Sequence, residues 1–157
     1  MKKAMAALPM AVLMSGCVTP YQSPTTGDTS NISFTELMPG PASGYVFQGE
    51  DMKACTNGKQ VGVFKSGETV TVAVPANQRV VLRISQLLLP YGYVPCEGGV
   101  DFTPASGKSY SLILGPGNPW HCVFSLVDEK RQPVEFVERI PQRSLSETAP
   151  KCTPLVE

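Results

Sequence analysis

The chain has 157 residues, 13 basic and 13 acidic side chains, and 42% hydrophobic residues. Neutral balance without a cluster of Lys or Arg argues against a nucleic-acid partner, and this length suits one domain rather than several. The five cysteines and single histidine leave little material for a metal centre built from those ligands.

The chain opens with Met1-Lys2-Lys3, followed by eleven uncharged residues from Ala4 to Met14, interrupted only by Pro9. Such a run suits a signal-peptide core and is too short to span a bilayer core of about 30 Å. The small residues Ser15 and Gly16 then precede Cys17. The segment Met14-Ser15-Gly16-Cys17 resembles the lipobox of bacterial lipoproteins, with Met where Leu is commoner and Leu13 one place early. The resemblance implies that residues 1–16 are a signal peptide cut between Gly16 and Cys17. It also implies that the Cys17 thiol carries diacylglycerol and the new amine an acyl chain such as palmitate. At ~0.8 kcal/mol per buried methylene, two or three chains hold a protein stably on a membrane. In many Gram-negative bacteria Asp after the cysteine retains such a protein at the inner membrane. Val18 in that place implies the outer membrane, with the body facing the periplasm. Export without lipidation is the alternative.

From Cys17 to Glu157 the chain carries 11 basic and 13 acidic side chains, since Lys2 and Lys3 leave with the leader. Lipid rather than charge is therefore the expected means of membrane attachment. Cys55, Cys96, Cys122 and Cys152 remain, an even number that reads as two disulfides in an exported chain. None forms a CxxC pair, so neither zinc nor redox chemistry, and no cofactor, is expected. Of three possible connectivities, Cys55–Cys96 with Cys122–Cys152 is favoured because neither loop crosses the other. Each bond would close a loop of roughly 30–40 residues and contribute on the order of 3–4 kcal/mol.

Residues 17–44 are rich in Pro, Thr, Ser and Gly and read as the lipidated N-terminus and a flexible linker. Within them, the more apolar stretch from Ile32 to Met38 is a candidate turn or short strand docked on the domain. Period-two alternation, the mark of half-buried strands, begins at Tyr45. Strands are expected over 45–48, 60–65 and 68–74, the last with Val70, Val72 and Val74 on one face. The next, over 79–85, turns Val80, Leu82 and Ile84 inward and Arg79 and Arg83 outward. After a loop over 91–99 come 100–103; 108–114 with Tyr110, Leu112 and Leu114 inward; 121–127; and 133–140 with Val134, Phe136 and Ile140 alternating. Residues 141–157 read as a polar tail tethered by Cys152. No stretch holds helical periodicity for three turns. About eight short strands over 45–140 predict an all-β domain, an antiparallel β-sandwich or small barrel. Its turn chemistry loosely resembles the small β-domains of many bacterial lipoproteins.

Catalytic constellations are weak. His121, beside Trp120 and Cys122, lacks a second histidine or a carboxylate pair, so it reads as structural. Glu50-Asp51 and Asp128-Glu129 fall in expected turns, and no serine has a nucleophile-elbow context. Ala105-Ser106-Gly107-Lys108-Ser109-Tyr110 is similar to the Ser-Gly-x-x-Tyr motif of membrane-bound lysozyme inhibitors, which would give Ser106 the cleft-entering role. The second motif of that family is missing after Tyr110. The strongest candidate contact surface is apolar and aromatic: Leu87, Leu88, Leu89, Tyr91 and Tyr93, with Trp120 joining them.

The expected function is that of a non-catalytic, lipid-anchored outer-membrane protein. Its periplasmic β-domain would bind an envelope protein or peptidoglycan in a scaffold or assembly role. A lysozyme-type inhibitor or soluble-ligand binder is the first alternative, an envelope hydrolase the second.

Overall fold

The computed structural model describes residues 18–55, 57–86, 97–117, 122–142 and 151–153. Alternation of apolar and polar side chains generates most of the strands. In order they are β1 (Thr29–Glu36), β2 (Pro41–Phe47), β3 (Lys59–Lys65), β4 (Thr69–Pro75), β5 (Val80–Gln86), β6 (Glu97–Phe102), β7 (Ser109–Pro116), β8 (Cys122–Asp128), β9 (Val137–Gln142) and β10 (Lys151–Thr153). One helical turn, α1 (Asp51–Ala54), interrupts the connection from β2 to β3.

The strands form two sheets, ordered β4-β1-β7-β8 and β10-β9-β6-β5-β2-β3. All pairings are antiparallel except β1 with β7. The sheets share one core, to which Ile32, Phe34, Leu112, Leu114 and Leu126 come from the first and Val46, Phe64, Leu82, Ile84 and Val100 from the second. The architecture is thus the sandwich of the two expected possibilities. Two glycines let the layers approach. A Cβ on Gly98 would lie 2.5 Å from the Phe124 ring, and one on Gly44 3.1 Å from the Phe34 ring.

The expectation of a flexible linker over 17–44 is corrected. Residues 29–36 are a central strand, with Ile32 and Phe34 at 0% exposure. Burial of such side chains is worth about 1.5–3 kcal/mol each, enough to order a segment whose overall composition is that of a tether. The preceding residues are also docked. Gln60 N donates to Thr19 O, Tyr21 N donates to Gln60 O, and the Tyr21 hydroxyl donates to Ala73 O at 2.9 Å. This segment leaves the edge of β3, crosses to the edge of β4 and covers the open side between the sheets.

Two smaller differences follow from the same packing. The last expected strand begins only at Val137, while Val134 and Phe136 reach the core from an irregular segment and Ile140 is 50% exposed. Part of the expected polar tail, Lys151–Thr153, forms β10 on the edge of the larger sheet.

Candidate functional site

The register sorts the connections to two ends of the sandwich. β1 runs toward one end, and so do β3, β5, β7 and β9, while β2, β4, β6, β8 and β10 start there. We call this the loop end, because the strands that flank 87–96, 117–121 and 143–150 end or begin there. Leu87, Leu88, Leu89, Tyr91, Tyr93, Trp120 and His121 lie outside the described residues. Their anchor points are described. Gln86 and Glu97 flank the first stretch and belong to the larger sheet; Gly117 and Cys122 flank the second, which is rooted in the smaller. Two apolar stretches far apart in sequence therefore depart from the same end of the fold.

Described side chains at this end extend the apolar character. Leu37, just past β1, is 54% exposed, and Val123 at the start of β8 is 49% exposed. Leu37 N donates to Leu114 O, and Gly115 pairs with Val123, so both belong to neighbouring rungs of the smaller sheet's outer face. Below that rim lies Glu36. The alternation that turns Ile32 and Phe34 inward turns Glu36 inward too, to 0% exposure. Neither carboxyl oxygen has a hydrogen-bond partner. Desolvation pushes its pKa up to about 7, so the proton stays on through mildly acidic pH.

The outer face of the larger sheet carries a different polar cluster. Asp101 alternates with the buried Val100 and Phe102 and so points away from the core. Arg79 grips it in bidentate fashion, Nε to Oδ1 at 2.6 Å and Nη2 to Oδ2 at 2.9 Å. Arg139, only 1% exposed, reaches Oδ2 at 3.4 Å and donates through Nη2 to Met52 O of α1 at 2.9 Å. The hydrogen bond to Asp101 raises the Arg79 pKa, and desolvation lowers that of Arg139. This cluster pins the helical turn to the sheet and is structural in character.

The remaining chemical candidates are dispersed. Ser106 is exposed in the turn before β7, at the end opposite the loop end. Tyr110 is buried, stacks edge-on against Phe102 at 5.2 Å and accepts a hydrogen bond from Ala105 N. Each expected carboxylate pair has local partners. Glu50 bridges Lys53, Asp51 accepts from Asn57, Asp128 caps its own turn through Lys130 N and Gln132 N, and Glu129 pairs with Lys108. That pairing lowers the Glu129 pKa. Among the described residues no three of His, Cys, Asp and Glu are grouped to hold a metal ion, and no helix is long and apolar enough to cross a membrane. Cys17 lies outside the described residues, as does Gly16, and Cys55 is disulfide-bonded.

Sequence reasoning missed Glu36 and the Asp101 cluster. A signal for the first existed in the parity of Ile32, Phe34 and Glu36; the second depends on strand order and had none. The described residues form an all-β, two-sheet sandwich with Leu37 and Val123 exposed at its loop end. The chain matches no family model and no curated protein sequence.

Proposed function

We propose that this chain is a non-catalytic lipoprotein of the outer membrane, anchored through Cys17, whose periplasmic sandwich presents its loop end to an envelope partner, a protein or peptidoglycan. The observation that carries the reading is the opposition of the two ends. The described chain begins at Val18, and Thr19 is already paired to Gln60, near the start of β3 and away from the loop end. An acylated Cys17 would leave one residue of free chain before the docked segment. The body then rests close to the bilayer, and Leu37 and Val123, at the loop end, lie away from it, toward the periplasmic space.

The test has two arms. Cys17→Ser should move the protein from the membrane fraction to the soluble fraction; a variant that still pellets after a high-salt wash refutes the anchor. A photo-crosslinking residue at Leu37 or Val123 should capture a discrete envelope partner in cells, and one at Lys130, at the opposite end, should not. Equal capture at both ends refutes the assignment of the surface. The inhibitor alternative rests on Ser106, which is exposed at a turn tip. It requires co-elution with lysozyme that Ser106→Ala abolishes.

A further inference from the structure

We infer that the loop-end half of β8 is an acceptor edge for one extended polypeptide strand, which would lie beside Phe124 and over Ile140. The inference deepens the loop-end reading above and rests on it, since it names the chemistry of the partner: a stretch of extended backbone with its own hydrogen-bonding groups unpaired.

β8 is the last strand of the smaller sheet, so one side of it is an edge. The far half of that edge is filled by the chain itself. Val134 N donates to Leu126 O and Asp128 N donates to Gln132 O, each at 2.9 Å. Leu126 therefore turns its backbone groups away from β7, and alternation gives Phe124 the same direction. Its neighbour in β7, Leu114, agrees, because the Leu114 carbonyl accepts from Leu37 N on the β1 side. Beyond Val134 the chain leaves for β9, and among the described residues no group pairs with Phe124 on the edge side. An N–H and a C=O that leave a strand edge in this way are matched by another extended backbone.

A floor lies beside that edge. Gly98 faces the Phe124 ring, which puts β6 beneath β8. β9 and β10 follow β6 in the larger sheet and so extend past the end of the smaller one. Glu138 pairs with the core residue Val100, so Glu138 and, two residues on, Ile140 have the core-facing parity. Both are nevertheless exposed, Ile140 by 50%. A strand added to β8 would set alternate side chains on Ile140, which calls for apolar residues at those positions.

The overhang also selects the occupant. A second copy joined edge to edge through its own β8 would bring its β9 and β10 into the same space, and the two overhangs would collide. A single strand with no second layer beneath it fits. The opposite side of the sandwich lacks such a floor. There β3 and β4 are joined by a short turn, and the segment 19–23 takes the N–H and C=O of both Gln60 and Ala73.

The test is a phage-displayed library of random linear peptides, selected on the full-length protein in detergent micelles and counter-selected on Ile140→Asp. That substitution puts a charge on the half-exposed floor and leaves the core untouched; circular dichroism checks its fold. Selected peptides should carry apolar residues at alternate positions. Backbone N-methylation should weaken them about tenfold or more at alternate residues and little at those between. By nuclear magnetic resonance the Phe124 amide of the free protein should exchange with deuterium early and the Ser125 amide, turned toward β7, late. Bound peptide should slow exchange at Phe124. A library that yields no peptide dependent on Ile140, equal tolerance of N-methylation all along the peptide, or a Phe124 amide already protected in the free protein overturns the inference. None of these readouts uses the acyl anchor. Crosslinking at Leu37 together with failure here would retain the loop-end partner and remove strand addition.

Discussion

Glu36 makes stability fall as pH rises. In the unfolded chain its carboxyl ionises near the ordinary value of 4.5, and in the folded protein at about 7. Below pH 4.5 both states hold the proton and the group has no effect. Between 4.5 and 7 the unfolded chain loses the proton while the fold keeps it, so the unfolded state gains at about 1.4 kcal/mol per pH unit. Above 7 the full cost applies, about 3 kcal/mol over a gap of about 2.5 units. Glu36→Gln removes the charge and retains the shape. At pH 8 the variant should be more stable than the parent by up to about 3 kcal/mol, and at pH 4 within about 1 kcal/mol of it. Urea unfolding followed by far-ultraviolet circular dichroism at half-unit steps from pH 4 to 8 measures both curves. Parallel curves for parent and variant across 4.5 to 7 would refute the buried, unpartnered carboxyl.

Asp101→Asn leaves Arg79 and the buried Arg139 facing each other without a counter-charge; unfolding free energy should fall by about 3–5 kcal/mol in denaturant titration. Gly98→Ala drives a methyl group into the Phe124 ring and should cost about 1–3 kcal/mol, a loss that shrinks in a Phe124→Leu background when the two are compared in a double-mutant cycle. Phe34→Ala opens the centre of the core and should cost about 3–5 kcal/mol. In an ultraviolet pH titration one tyrosine, Tyr21, should resist ionisation to about pH 12 because it is desolvated; Tyr21→Phe removes that late step.

What was legible in the chain divides along physical lines. β4 and β7 alternate without interruption, β5 departs only at the buried Val81, and Val70-Val72-Val74, Val80-Leu82-Ile84 and Tyr110-Leu112-Leu114 turn inward as their period predicts. β1 alternates equally well, but prolines and glycines on both sides make its window read as a tether. α1 and β10 are too short to leave a periodic signal, and contacts with β9 help to hold both. The apolar stretches at 87–93 and at Trp120 were each visible, but their departure from one end is set by strand order.

The parallel pairing of β1 with β7 bears on how the molecule is assembled. Asn31 meets Ser109 and Glu36 meets Leu114, so the first strand to emerge finds one flank only after the second half of the chain has followed. Closure over such a separation is slow, and barriers of this kind place sandwich domains in the millisecond-to-second range. Until then Ile32 and Phe34 lack the cover that β7 gives them in the core. The N-terminal half therefore closes late, and a holding chaperone would meet these two side chains first.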